Sequence, residues 1–285
     1  MLYTKMQGAG NDFIVIDNRS GAIPEEKQSA LAARVCRRRV SVGADGLMVV
    51  QQPTVEGADY RMLFYNSDGS VGEMCGNGAR CICRYGYEKG LAGETQRVQT
   101  TAGLVTGVRI SGREYRVRLN DVTTLRPDLT LDTSRGPMTV SYVELGCPGL
   151  PHAVVHMPGL KDMDRDELRA LGRELRWHSS FPKGANVNFW DWDGADALTE
   201  ITFERGVEDF TLACGTGTGS VVSVLTAQGL VSGREVPVSM MGGVLRISVD
   251  VTGPLPKELY LTGPTTMVSE GELLDEDLLQ LKPTV

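Results

Sequence analysis

The chain has 285 residues, 41% hydrophobic and 23% charged, with a formal net charge of -7, enough for one large domain or two ordinary ones with a real core. Acidic and basic residues are interspersed, which excludes a nucleic-acid groove and a polybasic membrane patch and leaves a small molecule as the expected partner. No segment reaches the ~18 apolar residues of a membrane span, and the opening MLYTKMQGAGNDF lacks the basic-then-apolar run of a secretion signal.

The cysteines Cys36, Cys75, Cys81, Cys83, Cys147 and Cys214 are scattered rather than set out as a disulfide framework. That usage fits a reducing cytoplasm. Cys81-Ile82-Cys83 is too tight for a redox pair, and His152, His156 and His178 do not cluster with any cysteine, so no metal is expected.

In chain order, the pattern predicts a strand over Phe13–Asp17 and a helix over Pro24–Arg39, with Pro24 at its first position. Strands follow at Leu47–Val50 and Tyr60–Tyr65, then a four-turn helix over Gly76–Lys89 that Gly90 stops. Strands at Arg97–Thr101, Leu104–Ile110 and Tyr115–Leu119 lead to an expected linker near Asn120–Arg135. The second half reads as strands Val140–Leu145 and Ala153–Met157, then a helix over Arg165–Arg176 that Asp164 caps. A strand at Val187–Trp190 and a helix over Gly215–Gln228, stopped by Gly229, come next. Strands Glu235–Ser239, Val244–Val249 and Glu258–Leu261 complete an α+β pattern.

The two halves resemble each other. Gly8-Ala9-Gly10-Asn11-Asp12-Phe13 is like Gly184-Ala185-Asn186-Val187-Asn188-Phe189, and Met74-Cys75-Gly76-Asn77-Gly78 is like Ala213-Cys214-Gly215-Thr216-Gly217. Val98–Leu104 is like Val238–Val244, and the step from cysteine to the glycine of that segment is 28 positions in one half and 29 in the other. A duplicated domain is the expectation, 1–120 with Cys75 and 121–262 with Cys214, the tail from about 263 to 285 crossing back to the first.

Each half thus delivers a cysteine to the start of a glycine-led helix. The first helical amides have no carbonyl partner, and the helix dipole adds positive charge, so the site should lower a thiol's pKa and bind a carboxylate. Two such helix starts meeting across a domain interface would grip one carboxylate and put a sulfur on each face of its α-carbon. One sulfur as thiolate removes a proton, the other as thiol returns one, and amides aimed at the carboxylate stabilise the carbanion. The scheme inverts an amino-acid centre with no cofactor. Cys36, Cys81, Cys83 and Cys147 lack this context and read as small core residues.

These segments, together with GADGL at 43–47, FYNSDG at 64–69, EMCGNGAR at 73–80, PHAVV at 151–155, FERG at 203–206 and LACGTGTG at 212–219, resemble the diaminopimelate epimerases along essentially the whole chain. The resemblance implies two pseudo-symmetric domains, each a curled, mostly antiparallel sheet or barrel around a central helix, with the active site between them. It also implies a PLP-independent homodimer that converts LL- to meso-diaminopimelate for lysine and peptidoglycan synthesis. Carried over by motif, Cys75 and Cys214 are the proton-transfer pair. Gly76, Asn77, Gly215 and Thr216 hold the reacting carboxylate, and Asn11, Asn66, Asn188 and Arg205 contact the substrate. Glu204 accepts from an ammonium and, with His152, biases the thiols. Two positions depart from the family pattern: Leu150 stands where an asparagine is frequent, and Gly46 where some members carry glutamine. The same mechanism on another amino acid, of histidine or proline type, is the alternative. A non-enzymatic thiol switch or amino-acid-binding protein is a further one.

Overall fold

The computed structural model describes residues 1–72 and 75–274. Glu73 and Met74 of the first cysteine motif, and tail residues 275–285, lie outside the described residues. The elements are β1 (Leu2–Gly8), β2 (Asn11–Asp17), α1 (Glu25–Val35), β3 (Gly46–Gln51), β4 (Tyr60–Asn66), α2 (Gly76–Glu88), β5 (Thr95–Thr100), β6 (Gly103–Arg109) and β7 (Glu114–Arg118). Then come β8 (Val122–Thr133), β9 (Gly136–Leu145), β10 (Leu150–His156), a short 3-10 turn (Leu160–Asp162), α3 (Arg165–Arg176), β11 (Asn186–Gly194) and β12 (Ala197–Glu204). The last are β13 (Asp209–Thr211), α4 (Gly215–Ala227), β14 (Val236–Met240), β15 (Gly243–Asp250), β16 (Lys257–Pro264) and β17 (Thr266–Glu272). No described helix is long and apolar enough to cross a membrane.

The chain divides into two units, Met1–Val117 with the described residues from Pro264 on, and Arg118–Gly263. In the first, the strand order is β17-β1-β2-β3-β4-β5-β6-β7, with β2–β3 and β4–β5 parallel and the other printed neighbours antiparallel. In the second, β8-β9-β10-β11-β12-β14-β15-β16 repeats that order, with β10–β11 and β12–β14 parallel. The helices repeat too, α1 matching α3 and α2 matching α4. Even the small β12–β13 pairing has a counterpart in the bridge between Tyr65 and Val71. The duplication is therefore complete in topology.

Within each unit one helix lies outside the sheet and one inside it. Leu31 and Val35 of α1 pack on Ile14, Ile16, Leu47, Val49 and Leu63, while Leu168, Leu171 and Leu175 of α3 pack on Val155, Val187, Phe189 and Phe203. The inner helix α2 packs against β1, β2 and β6, strands from opposite ends of the order, so the sheet curls around it. Likewise α4 is met by β8, β9, β10, β11 and β15. Strands sandwiched between the two helices are buried on both faces, which is why β3 reads Gly-Leu-Met-Val-Val, an apolar run without alternation.

The four helices lie where the pattern put them, with one correction: α1 ends at Val35, not Arg39. The returning loop takes its last carbonyls, Gly43 N–H donating to Val35 at 2.9 Å and Ala44 N–H to Cys36 at 3.1 Å. The expected linker is the larger correction. Residues 122–133 form β8, which pairs with β9, and its mostly exposed, non-alternating side chains hid it from a hydrophobicity reading. Strands β1, β12, β13 and β17 also went unread. The first proposed repeat match fails on topology, because residues 8–13 cross the β1–β2 turn whereas residues 184–189 enter β11, the counterpart of β3. The true partner of the 184–189 loop is Gly43-Ala44-Asp45-Gly46, and both loops open on a positive-φ glycine.

Both inner helices stop in the same way. Gly90 N–H donates to Tyr87 and Leu91 N–H to Gly86; Gly229 N–H donates to Thr226 and Leu230 N–H to Leu225. This is a Schellman closure at each end, with φ of 66° at Gly90 and 71° at Gly229. A Cβ at either glycine meets nothing within 4 Å, so an alanine there pays only for its left-handed backbone. Gly90→Ala and Gly229→Ala should each lower stability by about 1 kcal/mol in urea titrations, with an unchanged m-value.

Candidate active site

Cys75 is the N-cap of α2 (φ -105°, ψ 116°) and Cys214 the N-cap of α4 (φ -119°, ψ 101°), and neither sulfur makes a capping hydrogen bond. In each helix the first i→i−4 bond runs back to the cysteine carbonyl, from Ala79 at 2.7 Å and from Thr218 at 2.9 Å. The amides of Gly76, Asn77 and Gly78, and of Gly215, Thr216 and Gly217, have no carbonyl behind them in the helix. Each unit therefore presents a sulfur beside three converging donors.

In the first unit, the β1–β2 hairpin turns through Ala9 (φ 52°) and Gly10 (φ 83°) and places Asn11 beside Cys75. The Cys75 thiol donates to Asn11 Oδ1 at 3.4 Å, while Asn11 Nδ2 donates to Asp45 at 2.6 Å, which fixes the amide's orientation. Asp45 is held in turn by Arg38 at 3.0 Å. Asn77 is buried and accepts from Arg80 at 3.0 Å; the Arg80 guanidinium is fully buried beneath the start of α2 and also reaches the Gly76 carbonyl at 3.3 Å. Burial lowers Arg80 to about 10, so it remains a cation at neutral pH. Asn66 ends β4, exposed, with its amide donating to Ser70 at 3.0 Å.

The second unit gathers His152, Asn188, Glu204, Arg205, Cys214, Gly215 and Thr216. Cys214 is buried and lies 3.6 Å from the Thr216 hydroxyl. Burial pushes its thiol well above the usual range, Glu204 and Glu200 push it further, and Thr216 and the Gly217 amide oppose them. The expectation that a helix start acidifies both thiols thus fails at Cys214, where desolvation and two carboxyl groups outweigh the amides. Glu204, half-buried at the end of β12, is itself raised, chiefly by burial.

His152 is fully buried and falls to about 3, chiefly by desolvation, with Arg205 adding to the fall and Asn188 opposing it. It stays neutral, so any influence on a thiol is not that of a charge. Asn188 Nδ2 lies 3.2 Å from its Nδ1, which assigns the ring proton to Nε2, an atom without a partner among the described residues. Asn188 is itself wholly buried, spent on His152, Ala153 and Thr202. Its neighbour Asn186, unmarked in the sequence reading, accepts the Arg205 backbone N–H at 2.8 Å. The Arg205 side chain donates to the Lys183 carbonyl at 3.4 Å. Cys147, read as a core residue, is exposed in the β9–β10 turn. Arg80, Asn186, Glu200 and Thr218 are the site neighbours that the sequence reading missed. Arg80 and Thr218 stand inside the motifs already quoted, and Glu200 lies on an unread strand.

The diaminopimelate epimerase family profile matches residues 3–124 and again 147–268, one stretch in each repeat. Diaminopimelate epimerases from Aquifex aeolicus and Archaeoglobus fulgidus are each 38% identical to the chain, over 98% and 95% of its length and 99% and 95% of theirs. The chain belongs to the diaminopimelate epimerase family. It is an isomerase, as its relatives are. A hydroxyproline epimerase from Agrobacterium vitis (TM-score 0.70, 18% identity, 98% of this chain and 94% of that one) and a phenazine biosynthesis protein from Bacillus anthracis (TM-score 0.71, 15% identity, 96% and 99%) share the fold.

One departure from the diaminopimelate epimerase pattern now has a physical reason. A Cβ on Gly46 would collide with the Phe64 ring and stand 2.7 Å from the Tyr65 carbonyl, so Phe64 occupies the space that a longer side chain would need. Leu150, the other departure, opens β10 and is half-buried.

The thiols' surroundings predict an order of modification. With iodoacetamide at about pH 8, peptide mapping should find Cys147 and Cys75 labelled well before the buried, charge-averse Cys214. Glu200 predicts a pH dependence of stability. Burial raises it from 4.5 to about 7, so the folded state binds the extra proton, and stability falls as pH climbs between those values, by about 3 kcal/mol in all. Urea titrations should show wild type losing that increment relative to Glu200→Gln between about pH 4 and pH 8.

Proposed function

We propose that the chain epimerises LL-diaminopimelate to meso-diaminopimelate by a two-base mechanism, without PLP, in which Cys75 and Cys214 address opposite faces of one α-carbon. The observation that carries this reading is the matched pair of uncapped cysteines, each at the start of a buried inner helix, one in each copy of a duplicated fold. A single base would return its proton to the face it came from; inversion needs two, and duplication supplies two equivalent positions.

Cys214 begins as the thiol, because burial and Glu204 oppose charge on it. The base is then Cys75, which has the buried Arg80 cation beneath its helix start; loss of its thiol proton to solvent frees it from Asn11 and leaves a thiolate to take the substrate proton. As the proton leaves the α-carbon, charge spreads into the carboxylate, where the amides of Gly76, Asn77, Gly215 and Thr216 receive it. Donors aimed at such developing charge are worth about 10²–10³-fold in rate each. Cys214 then delivers its proton to the opposite face, and the charges on the two sulfurs are exchanged. Glu204 accepts from the α-ammonium, and Arg205 binds the distant carboxylate through its planar fork. Asn11 and Asn66 complete the substrate contacts, while the wholly buried Asn188, against the motif's expectation, acts only by fixing His152 and the strand beside it. Family membership extends the reading to a cytoplasmic homodimer serving lysine and peptidoglycan synthesis.

Incubation with LL- or meso-diaminopimelate in heavy water, with metal and PLP removed, should exchange the α-hydrogen for deuterium and interconvert the isomers. Cys75→Ala and Cys214→Ala should each lower epimerisation by at least about 10²–10⁴-fold, the range of a general acid or base. Full activity in either variant rejects the two-base assignment. Undiminished turnover in Arg205→Ala, which should raise KM, rejects the distal carboxylate contact.

A further inference from the structure

Beneath Cys214 the second unit carries a buried polar chain that the first lacks. Asn188 Oδ1 faces the Thr202 hydroxyl at 3.1 Å, Thr202 lies 3.2 Å from Glu200 Oε1, and the Thr218 hydroxyl lies 2.7 Å from Glu200 Oε2 and 2.9 Å from the Cys214 carbonyl. His152 extends the chain at the other end of Asn188. Every member is at most 3% exposed. A Cβ on Gly217 would overlap Asn188 Oδ1 and stand 3.2 Å from Glu200 Oε1, so the first turn of α4 rests directly on this chain.

Strand registers identify the equivalent positions in the first unit. His152 pairs with Asn186 as Phe13 pairs with Gly46, and Asn188 pairs with Thr202 as Met48 pairs with Phe64. By the same registers Glu200 corresponds to Met62, and Thr218, four residues past its cysteine, corresponds to Ala79. One helix start therefore rests on Phe, Met, Phe and Met, its twin on His, Asn, Thr and Glu. The backbone was duplicated and its support was not.

Counting protons in the polar chain points to the state of Glu200. Asn188 Nδ2 donates to the Ala153 carbonyl at 3.1 Å, so the atom facing Thr202 is the amide oxygen, which has no proton to give. Thr202 has one proton for Asn188 Oδ1 and Glu200 Oε1, and Thr218 has one for Glu200 Oε2 and the Cys214 carbonyl. A proton on Glu200 supplies a donor that the chain otherwise lacks.

We propose that Glu200 is a positioning residue for the Cys214 half of the reaction: a neutral carboxylic acid that donates to Thr202, engages Thr218 and so holds the first turn of α4 with its sulfur. The proposal rests on the two-cysteine reading above. Neutrality matters because an ionised Glu200 would oppose a thiolate at Cys214. The titratable groups around it are His152 on β10, Cys214 at the start of α4 and Glu204 further along β12. Beside them β11 supplies the neutral Asn188 and β14 the Met240 thioether, 3.3 Å from Thr218.

The decisive variants are Glu200→Gln, which preserves one donor and one acceptor, and Glu200→Met, which installs the residue of the sister repeat. Infrared difference spectra between wild type and Glu200→Gln at about pH 6 should show the carbonyl stretch of a protonated carboxyl, fading as pH rises through neutrality. Near pH 7, Glu200→Gln should keep kcat within about threefold, and Glu200→Met should lose at least about tenfold in kcat with KM changed less than about twofold. As pH rises from about 6 to 9, kcat of wild type should fall several-fold relative to Glu200→Gln, because only wild type ionises. A missing carboxyl band, or a Glu200→Gln variant impaired at least tenfold, overturns the proposal, and both readouts stand even if Glu200→Met does not fold. The infrared band does not depend on the cysteine chemistry, so its failure is distinct from a failure of the cysteine variants in heavy water.

Discussion

The proposed site depends on two buried helix starts, one in each unit, that the chain leaves without side-chain caps. An N-terminus that bore Ser, Thr, Asp or Asn would place an oxygen on one of its own amides and gain about 1 kcal/mol. Cys75 and Cys214 forgo that bond. What the fold gives up in stability it keeps as a set of directed donors beside a sulfur, and the curl of each sheet around its inner helix holds those donors at a fixed point. Stabilising either helix by a better cap would occupy the groups that the proposed reaction uses.

Duplication provides the backbone for two such points, and divergence beneath them provides the chemistry. Identical strand order and identical Schellman closures show how closely the two copies agree. Beneath the helix starts they part: the first copy buries Arg80 near Cys75, whereas the second buries Glu200, with Glu204 half-buried, near Cys214. A cation beneath one sulfur, and desolvation with Glu204 beside the other, is what the proposed pair needs if one is to take a proton while the other holds one.

Much of this was legible in the sequence because the informative residues are the backbone's own requirements. Glycine runs after Cys75 and Cys214, the stops at Gly90 and Gly229, and the Asp164 cap each report a local conformation, and the helices followed from them. Strand β8 was hidden because its few inward apolar side chains, Val122, Leu129 and Leu131, do not alternate along its length, and hydrogen bonds to β9 hold the rest. Strand β12 was hidden for the opposite reason: Thr199, Glu200 and Thr202 are polar but buried, so the side chains facing the inner helix looked like solvent-facing ones. The misalignment of residues 8–13 with 184–189 has a similar origin, since a Gly-Ala pair marks any tight approach to a strand. Thiol ionisation was not readable at all, because burial and through-space carboxyl groups decide it.

Helix α4 has a composition that would not hold a helix in water: glycine, serine, threonine and valine make up most of Gly215–Ala227. Its hydroxyls turn inward on its own backbone, Ser223 to the Gly219 carbonyl at 2.6 Å and Thr226 to Val222 at 2.7 Å. Such a segment takes its shape from the strands wrapped around it and has little shape before they close. Assembly of the second unit and completion of this helix start are then a single event, so under the proposed mechanism a half-folded chain carries the Cys214 thiol without the directed donors that surround it.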